Sequence, residues 1–118
     1  MLSIRQASRP IAWVGRSFDD LCCFPAEVRK EAGYQLHRLQ AGLEAADWKP
    51  MTDIGSGVEE VRLRHVCGIY RIIYFARMED AVYVLHCFGK KTQRTSEQDK
   101  HIAKARYQAV QQELRNRK

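Results

Sequence analysis

Apolar side chains recur along this chain with changing spacing, and each change marks a new element. Ile11-Ala12-Trp13-Val14-Gly15 is a short apolar run stopped by glycine and reads as a first strand. Ser17 with Asp20 three residues on forms a capping pattern that opens a brief helix through Leu21 and Cys22. Phe24-Pro25 interrupts it, and a proline at the first turn restarts a longer helix from Ala26 to about Gln40, with Gly42 as the stop. There Val28, Ala32, Leu36 and Leu39 share one side, while Arg29, Lys30, Arg38 and Gln40 lie elsewhere, so the helix covers an apolar surface, which must be a sheet. Ala41 to Gly57 shows no periodicity and reads as a long loop.

Three strands follow: Val58 to about Arg64, Ile69 to Ala76 and Ala81 to Phe88. Their connections, Cys67-Gly68 and Arg77-Met78-Glu79-Asp80, are short enough to force antiparallel neighbours. The first strand sets Val61 and Leu63 against Glu60, Arg62 and Arg64, as a half-solvated strand does. The second is apolar on both faces and reads as the central strand. Arg71 is its exception, on the face of Ile69, Ile73 and Phe75. An isolated buried charge is very costly, so Arg71 either pairs with Glu59 or Glu60 or is held on the sheet to meet an anion. Gly89 to Thr95 reads as a loop, and Ser96 with Asp99 caps a last helix whose stripe is Ile102, Ala105 or Arg106, Ala109, Val110 and Leu114. The expected order is β-α-α-β-β-β-α in one α+β domain over residues 11–118, behind a tail of residues 1–10.

Composition narrows the classes. At 118 residues and 45% apolar content one core can be filled, which excludes a disordered chain. There is no apolar run of membrane-spanning length, and Met1 to Pro10 has no apolar centre, so a cytoplasmic protein without membrane contact is expected. The net charge of +6 is segregated: residues 1–89 carry eleven basic and eleven acidic side chains, whereas Lys90 to Lys118 carry nine and three. That pattern suits either a polyanionic partner or a solvated helix face. Cys22, Cys23, Cys67 and Cys87 contain no C-x-x-C pair, and they read as core fillers in preference to metal ligands. Phosphate-loop, nucleophile-elbow and H-E-x-x-H motifs are missing, and Glu59 and Glu60 point to opposite faces, unlike a glycosidase pair.

On this framework Arg62, Arg71, Lys90 and Lys91 converge near Phe88 and His86, with Lys49 approaching from the loop and Arg94 beyond. Guanidinium forks grip phosphate oxygens and flat rings such as Phe88 and Tyr70 stack on bases, so the set suits a nucleic-acid backbone.

Read together, several short motifs resemble the phage-derived branch of the RelE/HigB toxin superfamily. They are Ser17-x-x-Asp20-Leu21, Phe24-Pro25-x-x-Val28-Arg29, Gly33-Tyr34-x-Leu36, Gln40-x-Gly42, Lys49-Pro50-Met51, Ile54-Gly55-x-Gly57-Val58-x-Glu60-x-Arg62, Tyr70-Arg71-Ile72-Ile73-Tyr74 and Val84-Leu85-His86-x-Phe88-x-Lys90-Lys91-Thr92. The resemblance covers about residues 11 to 110 and implies a RelE-like fold, with helices on one face of an antiparallel sheet and the active cleft on the other. It implies a type II toxin, a ribosome-dependent mRNA endoribonuclease needing neither metal nor cofactor. Its partners would be mRNA, the ribosome and a small helix-turn-helix, HigA-like antitoxin. Arg62 and Arg71 match the family's strand arginines, and Lys90 and Lys91 its terminal lysines. Arg62 and Arg71 would then stabilise charge on phosphorus; Lys90, Lys91 or His86 would move the protons, with Tyr70 or Tyr74 as further candidates. Lys49, Phe88, Arg94 and Tyr70 would hold RNA. A ParE-like gyrase inhibitor and a non-catalytic basic nucleic-acid-binding module are the alternatives.

Overall fold

The structure, a computed structural model, describes residues 8–77, 80–90 (Lys90 by its backbone alone) and 94–117. Its elements are β1 (Ile11–Trp13), α1 (Ser17–Cys22), α2 (Ala26–Gln40), β2 (Trp48–Pro50), β3 (Val58–His65), β4 (Gly68–Ala76), β5 (Val82–Lys90) and α3 (Glu97–Asn116). They form one five-stranded sheet in the order β1-β5-β4-β3-β2, with β1 parallel to β5 and every other pair antiparallel. The mixed α+β class is as expected, and the doubly apolar β4 is indeed central. Among the described residues no helix is long and apolar enough to cross a membrane.

Because β4 is apolar on both faces, both faces need a cover, and this corrects the expectation that the helices share one face. Leu21 and Phe24 of the α1 region and Val28, Ala32, Leu36 and Leu39 of α2 pack with Val61, Leu63, Ile72, Tyr74, Val82 and Val84. Ala103 and Val110 of α3 pack on the opposite face with Val58, Ile73, Phe75, Tyr83 and Leu85. The α3 stripe therefore runs through Asp99, Ala103 and Val110, with Ala105 and Ala109 exposed.

Other local differences have local causes. Trp48–Pro50 pairs antiparallel with Glu59–Val61 inside the expected loop; three residues ending in proline leave no alternation to read, and an edge position tolerates the proline. Strand β5 continues past Phe88 to Lys90, and the Tyr70 ring lies where a Gly89 side chain would stand, 2.6 Å from that Cβ position. Ser17 does not cap α1; it is buried and its hydroxyl donates to the Val84 carbonyl at 3.0 Å, tying α1 to β5. Ser96 does cap α3, accepting from the Asp99 amide at 3.1 Å. The Pro10 carbonyl accepts from Val82 N–H at 2.9 Å, and Arg9 donates to the Leu39 carbonyl at 2.6 Å, so both join the domain; the rest of the expected tail, residues 1–7, lies outside the described residues.

A bulge interrupts the β4–β5 ladder: Ile73 pairs with His86 and Tyr74 with Val84, leaving Leu85 over. The Leu85 carbonyl accepts from Arg106 of α3 at 2.8 Å. The extra residue lets Leu85 enter the α3-side core while His86 also meets α3.

Of the cysteines only Cys87 is a core filler; Cys22, Cys23 and Cys67 are exposed, lying at the end of α1 and on the β3–β4 turn. Burial first, and nearby Asp20 second, push the Cys87 thiol above its ordinary 9.0. Burial, then hydrogen bonds to Glu59 and Asp80 respectively, raise Tyr74 and Tyr83 above their ordinary 10.0. These folded values exceed the unfolded ones, so their contribution is complete below about pH 9 and is lost as pH rises. The urea midpoint should fall between pH 8 and 10.5, and Tyr74→Phe should flatten that fall. A pH-independent midpoint would contradict the assignment.

Candidate functional site

Strand register gathers most of the expected residues on the α3 face. Arg62 pairs with Arg71 and Arg71 with Phe88, making one row across β3, β4 and β5. The row beside it contains Lys49, Glu60, Ile73 and His86, and the row on the other side contains Arg64, Ile69 and, by backbone register, Lys90. Residues directly opposite across antiparallel strands share a face, so residues far apart in sequence become neighbours. Tyr70, one residue from Arg71, falls on the other face, with its ring 4.8 Å from that of Phe24. Arg94 is exposed ahead of α3, and Lys91 lies outside the described residues.

Two arginines directly opposite repel, and each is compensated separately. Arg62 donates to Asp47 at 3.1 Å, and Arg64 approaches the other oxygen of that carboxylate at 3.5 Å. Arg71 sits 3.6 Å from Glu60, its diagonal neighbour, and both side chains have 0% exposure. The pairing offered as the simpler explanation of Arg71 is therefore present, with Glu60 as the partner. Desolvation pushes the Arg71 guanidinium below its ordinary value; Glu60 opposes this and Arg62 adds to it. The guanidinium carbon also lies 5.9 Å from the Phe88 ring centre, within cation–π range.

The start of α3 meets the neighbouring row, at Glu60 and His86. Thr95, 2% exposed, donates to the second Glu60 oxygen at 2.6 Å. Asp99 is 2.8 Å from His86 Nε2, and its other oxygen accepts from Ser96 at 2.6 Å. His86 is buried and stacks on Phe88 at 4.9 Å, while its Nδ1 has no hydrogen-bond partner among the described residues. A carboxylate on Nε2 orients the ring and favours the tautomer with its hydrogen on Nε2.

The site thus divides. Arg62 reaches solvent with 22% of its side chain exposed, whereas Arg71 is enclosed. Thr95, Asp99 and Asp47 were not foreseen as site residues. Ser96-x-x-Asp99 reads from sequence as a cap alone, and nothing local marks the free side of the Asp99 carboxylate as a histidine partner. Among the described residues no cluster of three or more His, Cys, Asp or Glu could hold a metal ion. The described arrangement offers fixed cations, one oriented imidazole and an aromatic surface, a set that can bind a phosphodiester.

No curated protein matches the chain significantly. Residues 19–108, from α1 through most of α3, match the family described as Phage derived protein Gp49-like. The chain therefore belongs to the phage-derived Gp49-like family, one of the RelE/HigB-type toxin group.

Proposed function

We propose that this chain is the toxin of a type II toxin–antitoxin pair and cleaves messenger RNA on the ribosome, in the cytoplasm, by attack of the RNA 2′-hydroxyl on its neighbouring phosphate. The family supports a toxin with an antitoxin partner, which we take to be a helix-turn-helix, HigA-like protein. The observation that carries the reading is the Arg62–Arg71–Phe88 row with His86 stacked at its end. No metal is required for this route, because the nucleophile belongs to the substrate.

The reaction needs alignment of the attack, removal of the 2′ proton, stabilisation of charge on phosphorus and a proton for the leaving 5′-oxygen. Arg62 is the charge-stabilising group. Asp47 holds it at Nη2, and 22% of its side chain is exposed to a ligand. Enclosed Arg71 is a positioning residue, whose charge lies beneath Phe88 and stiffens the row. His86, oriented by Asp99 with its Nδ1 enclosed, is like Arg71 a positioning residue that holds Phe88 by stacking, and removal of the 2′ proton falls to Lys90 or Lys91. Lys90 and Lys91, at and just beyond the end of β5, supply charge and the proton for the leaving group. Lys49 and Arg94 hold flanking phosphates and Phe88 lies against a base; Tyr70, on the other face, contacts RNA outside this row.

Arg62→Ala should lower kcat for message cleavage by about 10²- to 10³-fold, the usual cost of one such donor, with unfolding unchanged. Undiminished kcat would remove Arg62 from the mechanism. Arg71→Ala should destabilise the fold by about 3–5 kcal/mol, because it leaves Glu60 charged and buried without its partner. Replacing both, Arg71→Met with Glu60→Leu, should restore most of that stability, as measured by urea denaturation, and still cleave poorly; a fully active double variant would leave the pair a purely structural role. Induced expression should stop growth and deplete messages with DNA supercoiling intact. Double-strand breaks with undisturbed messages would support the gyrase reading instead.

A further inference from the structure

Around the edge of β5 from the arginine row, sharing His86 and Phe88 with it, lies a cleft of about 540 Å³, a size typical of small-molecule sites. Asp20, Cys23 and Phe24 form one wall, Cys67, Gly68 and Tyr70 another, and His86 to Gly89 of β5 the third. The Tyr70 ring, wedged against Phe24 and over Gly89, gives a flat aromatic surface. Neither the Asp20 carboxylate nor the Tyr70 hydroxyl has a hydrogen-bond or ion-pair partner among the described residues. Among the described residues, in a chain of net charge +6, this cleft is lined by one carboxylate and no lysine or arginine.

That lining selects against phosphate and for a neutral, flat group that donates hydrogen bonds. Unstacked RNA bases are such groups, stacked on aromatic rings and read along their Watson–Crick edges. An ionised carboxylate only accepts. Guanine presents two adjacent donors, N1–H and the N2 amino group, which match its two oxygens. Adenine sets an acceptor beside its amino group, uracil flanks its one N–H with carbonyls, and cytosine offers one donor group beside an acceptor. The cleft ends at Gly89, next to Lys90, so a nucleotide there is continuous with backbone held at the end of β5.

We propose that this cleft binds a guanine base of the single-stranded RNA substrate, with Asp20 accepting from N1–H and N2–H and Tyr70 supplying the stacking surface. The proposal rests on the ribonuclease reading for its biological substrate but is testable without cleavage. The intact protein would be titrated with GMP, AMP, CMP and UMP separately, following backbone amide resonances. GMP should shift Asp20, Gly68 and Gly89 and bind at least tenfold more tightly than the others. Asp20→Asn, checked for folding by circular dichroism, should lose that preference and gain relative affinity for adenine, whose donor–acceptor edge an amide matches. Equal binding of all four nucleotides, no binding, or shifts caused only by the cognate antitoxin would overturn it. The two failures separate cleanly. Selective GMP binding without RNA cleavage would sustain the cleft and sink the ribonuclease reading, whereas cleavage without GMP selectivity would sink the cleft alone.

Discussion

The buried ion pair of Glu60 and Arg71 is the interaction on which the site depends. Arg71 occupies the middle of the central strand at 0% exposure, where an unpaired guanidinium would be untenable. Glu60 compensates it from β3 and, through its second oxygen, accepts from Thr95, which fixes where the first turn of α3 meets the sheet. That turn brings Asp99 to His86. One buried carboxylate thus couples the charge of the sheet to the placement of the helix over it, and the ionic groups on this face are linked through side chains from β3, β4, β5 and α3.

This coupling explains why the fold was more legible in the sequence than the site. Alternation in Val58 to His65, apolarity on both faces of β4 and the Pro25–Gly42 bracket around α2 are local patterns, and the structure reproduces them. The opposition of Arg62 and Arg71 follows from the tight hairpin between β3 and β4 and could be anticipated. The Leu85 bulge could not, because its freed carbonyl is met by Arg106, 21 residues away in sequence. Nor does strand periodicity say whether an arginine on a covered face is enclosed or open to a ligand. Thr95 and Asp99, which bond Glu60 and His86 beside that arginine, carry the local signal of an ordinary helix start.

The distribution of charge takes a different meaning in three dimensions. The excess of cations after residue 89 suggested a basic end, and much of it is a solvated helix surface: Lys104, Arg115 and Arg117 are exposed. The arginines of the sheet, Arg62, Arg64 and Arg71, come from the part of the chain that is formally neutral, and each approaches a carboxylate. Net charge attracts a polyanion from a distance, whereas individually compensated arginines hold fixed positions at short range. Membership of the Gp49-like family places this arrangement in a family of the RelE/HigB-type toxin group.

The central claim is that this face supports cleavage by the RNA's own 2′-hydroxyl. The most direct test is to identify the ends of fragments released from a message by purified protein and ribosomes. The account predicts 2′,3′-cyclic phosphate on the upstream fragment and 5′-hydroxyl on the downstream one. Fragments ending in 3′-hydroxyl and 5′-phosphate would show attack by an external nucleophile and contradict it.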